Sequence, residues 1–271
     1  MAHDSGVRRL AVIGDPIGHS LSPKIHTRFL QEAGLDYTYT AIRVKAGEAR
    51  VFFETAKREN MAGLNVTMPL KEEAFALVDR LDRSAQGGAV NTVVNHGGVF
   101  TGYNTDGQGF IRSLGERREH LAGARVVVLG AGGAAKPILA ALAQAGVEIT
   151  LCVRNKEKAA GLVPPERCLF FREAGSACVR ADLLVNTTPL GMEGFAGFES
   201  LAFVDALPPY ALVYDLVYMP RQTALVERAR QRGLFARNGM AMLVCQAALA
   251  FRLFTGVEPS EATVEEMIGR L

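Results

Sequence analysis

Cysteine is scarce in this chain. Its four residues, at 152, 168, 178 and 245, form no C-x-x-C pair and are too sparse for a disulfide-stapled scaffold. Reduced thiols packed in a core are expected, in a cytoplasmic protein. An excess of one charge is also missing: Lys and Arg total 30 against 28 Asp and Glu, a formal net charge of +2. With no block of like charge along the chain, neither nucleic acid nor a membrane surface is an expected partner. Long apolar runs are lacking too, and stretches such as residues 240–251 are too short to span a bilayer. Asp4 precedes Arg8 and Arg9, and the apolar run behind them is cut by Asp15 and Pro16, so a secretory leader is not expected. Among the five histidines, His19 and His26 flank a serine-rich turn without metal-ligand companions, and His96 falls in a hairpin tip. No catalytic metal is expected. Internal repeats and low-complexity tracts are absent.

What is present is enough apolar material for two cores, with 49% hydrophobic and 21% charged residues in a chain of 271. The first hundred residues mix element types. Strands are predicted over 9–14, 37–44 and 63–67, helices over 23–33 and 70–79, and a hairpin pairs 89–94 with 99–102 around Asn95-His96-Gly97-Gly98. From Arg125 the pattern changes. Strands over 125–129, 148–153, 182–186 and 212–217 are almost continuously apolar, and helices over 134–145 and 223–232 end at Gly146 and Gly233. Such strands alternating with helices signal a parallel, doubly wound sheet. The expected architecture is therefore α/β: an N-terminal mixed α/β substrate domain over 1–108, completed by C-terminal helices over 239–271, and a C-terminal Rossmann-like dinucleotide-binding domain over 109–238.

Gly130-Ala131-Gly132-Gly133-Ala134-Ala135 directly follows a Val-rich strand and opens a helix. In that context G-x-G-x-x-[GA] has a mechanical meaning: Gly130 for a tight turn, Gly132 for close approach of a pyrophosphate, and Ala135 for helix–strand packing. The free N–H groups of the helix then face the anion. A second strand that binds NAD usually ends in a carboxylate for the ribose 2′-hydroxyl. Here it ends in Arg154-Asn155-Lys156, with Lys158 beyond. Cations suit a 2′-phosphate, so NADP is the expected cofactor.

Two hydroxyls in Ser20-Leu21-Ser22-Pro23 fall on one side of an extended segment just before a helix start, an arrangement that can hold a carboxylate. An ordinary N-cap by Ser22 is an equally local explanation. Asn65 and Thr67 share a strand face, after which Met68-Pro69-Leu70 turns the chain into Lys71. Asn91-Thr92 and Asn104-Thr105-Asp106 add polar groups to apolar surroundings. Such groups need partners, either the backbone or a polar small molecule.

Taken together, the segments 14–23, 63–71, 88–92 and 102–107, followed by 130–135, Asn186-Thr187-Thr188-Pro189-Leu190-Gly191-Met192, Tyr214-Asp215-Leu216-Val217-Tyr218 and Met242-Leu243 with Gln246, resemble the shikimate dehydrogenase family in the order of its motifs. The resemblance covers nearly the whole chain. It implies an NADP-dependent oxidoreductase interconverting 3-dehydroshikimate and shikimate in chorismate biosynthesis, acting as a monomer or homodimer on a small-molecule substrate. By the same resemblance Lys71 and Asp106 are catalytic, and Ser20 and Ser22 hold the substrate carboxylate. Asn65, Thr67, Asn91, Asp106 and Gln246 bind the ring hydroxyls, with Tyr218 near the substrate. Gly130, Ala131, Gly132, Gly133, Ala134, Arg154, Asn155, Lys158, Thr187 and Met240 bind the cofactor.

The chain departs from the family pattern at Val153 and Asn155, which flank the retained Arg154, at Met219, and at Ala241, where glycine is usual. The first two bear on cofactor preference and the last on nicotinamide position. Three rival readings accompany the main one: a dehydrogenase acting on quinate or on both quinate and shikimate, against which Ser22 in place of a threonine leans; a non-catalytic nucleotide sensor, against which Lys71 and Asp106 argue; and a folate-linked dehydrogenase of related architecture. Lys71 could act as acid and base or as a stabiliser of oxyanion charge.

Overall fold

The strands divide into two separate six-stranded sheets, one mixed and one wholly parallel. They were traced in a computed structural model that describes residues 7–271; residues 1–6, which include the Asp4 used in the leader reading, lie outside the described residues. The chain splits into two units: residues 1–109 with 244–271, and residues 110–243.

The first unit begins with β1 (Arg8–Gly14), α1 (Ser22–Ala33), β2 (Tyr37–Arg43), α2 (Ala49–Arg58), β3 (Gly63–Val66) and α3 (Lys71–Leu77). It continues through β4 (Arg80–Leu81), β5 (Thr92–His96) and β6 (Val99–Tyr103) into α4 (Asp106–Ser113). The sheet order is β2-β1-β3-β5-β6-β4. Strands β1, β2 and β3 run parallel, whereas β5 runs antiparallel to both β3 and β6. Ala11, Ile13, Leu64, Val66 and Val93 turn one face of this sheet onto Phe53 and Ala56 of α2 and Ala74 of α3. Helix α2 was not anticipated; Ala49, Phe53 and Ala56 mark its buried stripe.

The second unit runs through β7 (Arg125–Leu129), α5 (Ala135–Gln144), β8 (Glu148–Val153), β9 (Cys168–Phe170), α6 (Ala174–Cys178) and β10 (Leu183–Asn186). It ends with α7 (Ala202–Asp205), β11 (Leu212–Asp215), α8 (Ala224–Gln231) and β12 (Phe235–Arg237). Its strand order, β12-β11-β10-β7-β8-β9, is the doubly wound one, with the order reversing between β7 and β10. The reason these strands are continuously apolar is now explicit. Val126, Val128, Leu151 and Val185 feed one core, while Val127, Leu129, Cys152 and Leu184 feed another on the opposite face. Residues 115–120 form a short 3-10 helix.

Helix α9 (Met240–Thr255) starts in the second unit and ends in the first, where α10 (Glu261–Arg270) follows it. The last helix is tied to α1 by an Arg28–Glu266 ion pair of 2.9 Å. Among the described residues no helix is long and apolar enough to cross a membrane.

Candidate active site

In the first unit the carboxyl ends of β1, β3 and β6 and the amino end of β5 lie at one end of the sheet, because Asn65 pairs with Thr92 and Thr92 with Tyr103. That register gathers the polar residues of three separate segments. The Asn65 amide donates to the Asn91 carbonyl at 3.3 Å and to Thr92 Oγ1 at 3.1 Å. Asn91 Nδ2 donates to Asp106 Oδ1 at 2.8 Å, and Asn91 Oδ1 accepts from the Thr105 N–H at 2.9 Å. Lys71, the first residue of α3, places its Nζ 2.6 Å from Asp106 Oδ2. Both side chains are largely withdrawn from water, with 21% of Lys71 and 9% of Asp106 exposed. An amine and a carboxylate so paired, with one carboxylate oxygen fixed by an amide, form a directed proton-handling group.

Helix α9 brings Gln246 to the same cluster, with Thr105 Oγ1 3.4 Å from Gln246 Oε1. Gly109 makes this approach possible: a Cβ there would lie 2.6 Å from Gln246 Cβ and 2.8 Å from its backbone nitrogen. Gly14 does the same for Thr67, since an added Cβ would meet Thr67 Cγ2 at 2.4 Å and the Met68 carbonyl at 2.7 Å.

The expected alternative of a Ser22 helix cap is corrected. Leu21 is the N-cap of α1 and carries no side-chain cap, and Ser22 is already helical. Ser20 Oγ accepts from the Ser22 N–H at 3.3 Å, while the Ser22 hydroxyl faces that of Tyr39. Tyr39 itself was not singled out from the sequence, because Tyr37 and Tyr39 alternate identically along β2. Its hydroxyl donates to Asn65 Oδ1 at 2.7 Å, and burial pushes its phenol well above the usual range. The Tyr39 ring stacks on His26 with centroids 4.2 Å apart and planes within 4°. Neither ring nitrogen of His26 has a hydrogen-bond partner, and burial lowers its pKa to about 3.

In the second unit the glycine turn sits at the carboxyl end of β7, beside the point where strand order reverses. Gly130 has φ +97°, and a Cβ there would lie 2.6 Å from Thr188 Cγ2. Thr187 braces the turn, donating from Oγ1 to the Leu129 carbonyl at 2.7 Å. Over Gly132 and Gly133 a Cβ would meet nothing within 4 Å, and Ala134 and Ala131 complete an exposed or half-exposed edge. The amino end of α5 has no side-chain cap. A turn open on one face and an uncapped helix start fit a dinucleotide pyrophosphate. Arg154 and Lys158 are exposed just beyond β8. Asn155 Oδ1 accepts from the Glu157 N–H at 2.8 Å, and Val153 is buried in the core, so neither departure from the family pattern offers a side-chain oxygen outward.

Further along, Asp215 is fully buried and accepts from Asn186 Nδ2 at 2.8 Å, Thr223 Oγ1 at 2.6 Å and the Val217 N–H at 3.1 Å. Burial nevertheless raises its pKa above the usual carboxylate range. Asn186 in turn accepts from the Thr188 N–H at 3.0 Å, so one carboxylate organises the segments after β10 and β11. Tyr218 follows in the latter, its phenol shifted upward by burial. Met240, buried at the start of α9, follows Gly239, where a Cβ would fall 1.9 Å from the Leu216 carbonyl oxygen. Gly239 and Asp215 thus shape this region without having been predicted to; a glycine before an apolar helix was the available signal.

A half-buried amine–carboxylate pair in a mixed-sheet unit, together with an open glycine turn in a doubly wound unit, defines a dinucleotide-dependent oxidoreductase. Comparison with known proteins narrows the class. The "Shikimate dehydrogenase substrate binding domain" family matches residues 12–93, and the "Shikimate 5'-dehydrogenase C-terminal domain" family matches residues 239–266. The chain is 40% identical over 262 residues to shikimate dehydrogenase (NADP(+)) of Symbiobacterium thermophilum, covering 92% of this chain and 89% of that protein. Shikimate 5-dehydrogenase from Thermus thermophilus, in complex with NADP(H) and shikimate, superposes with a TM-score of 0.85 at 34% identity, over 97% of this chain and 99% of that one. Shikimate 5-dehydrogenase from Listeria monocytogenes, in complex with shikimate and NAD, gives 0.86 at 34% identity, over 97% and 96%. The chain belongs to the shikimate dehydrogenase family.

Proposed function

We propose that this protein reversibly reduces 3-dehydroshikimate to shikimate with NADPH, within chorismate biosynthesis. The observation that carries this reading is the 2.6 Å pair of Lys71 and Asp106, buttressed by Asn91 in a polar cluster that includes Asn65 and Gln246. A cyclic acid bearing several hydroxyls supplies the partners such a cluster asks for. Ser20 and Ser22, at the start of α1, take the carboxylate; Asn65, Thr67, Asn91 and Gln246 take the ring hydroxyls.

Reduction of the ketone adds a hydride to carbon and a proton to oxygen, and NADPH when bound supplies the hydride. Lys71 holds a proton at Nζ toward the substrate oxygen and stabilises the charge that gathers there. Asp106 accepts hydrogen bonds from Lys71 and from the reacting hydroxyl, which keeps both atoms in line. In the second unit Gly130, Ala131, Gly132, Gly133 and Ala134 cradle the pyrophosphate, with Thr187 bracing them. Arg154, Asn155 and Lys158 receive the 2′-phosphate, and Met240 lines the nicotinamide end. All assigned residues lie on one chain, so a monomer or a homodimer serves equally. Four buried cysteines that form no disulfide favour a reducing, cytoplasmic setting.

The test is direct: purified protein is mixed with shikimate and NADP and the rise of reduced-nicotinamide absorbance is followed, with quinate and NAD in parallel. Shikimate with NADP should give the highest kcat/KM. No turnover with any pair would refute the assignment.

A further inference from the structure

The NADP-selective charges Arg154 and Lys158 lie on the loop after β8. The fold adds a neighbouring strand end. Strand β9 runs parallel to β8 at the edge of the sheet, and Val153 is in register with Phe170, so both strands finish side by side. Phe170 is 37% exposed there. Two cations from different segments converge on its ring: Lys156 Nζ lies 4.6 Å from the centroid and Arg172 Cζ lies 4.9 Å from it.

No carboxylate is within ion-pair distance of this group among the described residues. Glu173, the acid next in sequence to Arg172, is occupied by the Phe170 backbone, whose N–H it accepts at 2.8 Å. Glu157 lies between Lys156 and Lys158 in the loop and pairs with neither of them. Among the described residues none of Arg154, Lys156, Lys158 and Arg172 joins an ion pair, although arginines elsewhere, such as Arg43, Arg167 and Arg228, do. Four exposed cations at two adjacent strand ends, offset only by Glu157 and Glu173, leave a net positive patch that attracts an anion. The ring face holds two of them in place through cation–π attraction, which reduces the ordering lost when they close on a ligand.

We infer that Arg172, with Lys156 across the Phe170 ring, forms a second wall of the site for the adenosine 2′-phosphate and sets the preference for NADP over NAD. The inference rests on the NADP reading above. A ribose phosphate monoester carries close to two negative charges and three acceptor oxygens, each able to accept more than one hydrogen bond, so cations on more than one side of it can share the load. The selectivity of this chain is thus shared between β8 and β9, and an aromatic residue that touches no phosphate tunes it.

The experiment is calorimetric titration of the full-length protein with adenosine 2′,5′-bisphosphate and, separately, with adenosine 5′-monophosphate. Arg172→Ala should weaken the bisphosphate by about tenfold or more while leaving the monophosphate within about twofold. Phe170→Leu should keep all four cations and still weaken the bisphosphate several-fold, and Arg172→Lys should recover part of the loss. Thermal denaturation of each variant separates misfolding from lost binding. If the wild type prefers the bisphosphate but Arg172→Ala binds both ligands as the wild type does, or loses both equally, the inference about β9 is wrong and the NADP reading stands. If the wild type itself fails to prefer the bisphosphate, the NADP reading fails with it.

Discussion

Asn91 Nδ2 donates to Asp106 Oδ1 over 2.8 Å, on the edge of the carboxylate opposite the one that meets Lys71. The carboxylate is therefore clamped between an amide and an ammonium, and its direction is set before any substrate arrives. Such preorganisation is where an enzyme gains most, since no reorientation is needed as charge develops.

Lys71→Met keeps the length and apolar stem of the side chain and deletes the charged nitrogen. Turnover should fall by about 10²–10⁴, the usual contribution of a positioned acid–base group, while KM for shikimate changes only a few-fold. Steady-state kinetics in both directions measures this. A variant with wild-type kcat would remove Lys71 from the chemistry.

Tyr39→Phe tests how the substrate side is held. The substitution takes away the donor to Asn65 Oδ1, a buried oxygen, at a cost of about 1–3 kcal/mol in stability. Freed of that bond, the Asn65 amide can turn, and KM for shikimate should rise several-fold with a smaller change in kcat. Kinetics alongside urea unfolding separates the effects; a loss of stability with unaltered KM would make Tyr39 a core residue only.

The sequence was most legible where burial leaves no choice. Strands β7 and β8 fall on their predicted bounds because each is covered by a core on both faces. Helix α4 was hidden: Asn104, Thr105, Asp106 and two glycines carry little helical signal, yet the lack of a side chain at Gly109 lets Gln246 pack against the helix. Strand β9 is only three residues long, too short to carry a period, and with it went the exposed Phe170 and Arg172. In the candidate site, motif residues could be named singly, but the Tyr39–Asn65 bond depends on strand order, which alternation along β2 does not encode.

The glycine turn separates two kinds of requirement. Gly130→Ala forces a methyl to within 2.6 Å of Thr188 Cγ2 at φ +97°, a strain on the order of 1–3 kcal/mol. Gly132→Ala meets no protein atom within 4 Å. The first should lower the melting temperature and NADP affinity together; the second should melt like the wild type and still bind NADP at least several-fold more weakly, since its methyl occupies the approach of the pyrophosphate. Equal NADP affinity in Gly132→Ala would place the pyrophosphate elsewhere.

His26 gives the chain an acid-side instability with a definite sign. Its ring lies among Tyr39, Phe29, Phe251 and Phe254 with no partner for either nitrogen, and burial pushes its pKa from 6.5 down to about 3. Above pH 6.5 the imidazole is neutral folded or unfolded, and contributes no slope. Below 6.5 the unfolded chain takes up a proton that the folded chain refuses until about pH 3, so stability falls by about 1.4 kcal/mol for each pH unit within that window. His26→Phe removes this proton while keeping an aromatic ring against Tyr39. Any packing penalty from the larger ring is the same at all pH values, so it cancels in a comparison across pH. The variant should gain on the wild type by about 2 kcal/mol between pH 6.5 and 5, and by nothing between pH 8 and 7. Urea unfolding at these four pH values reads the difference; a gap that stays constant throughout would mean that the folded protein accepts the proton on His26 without loss.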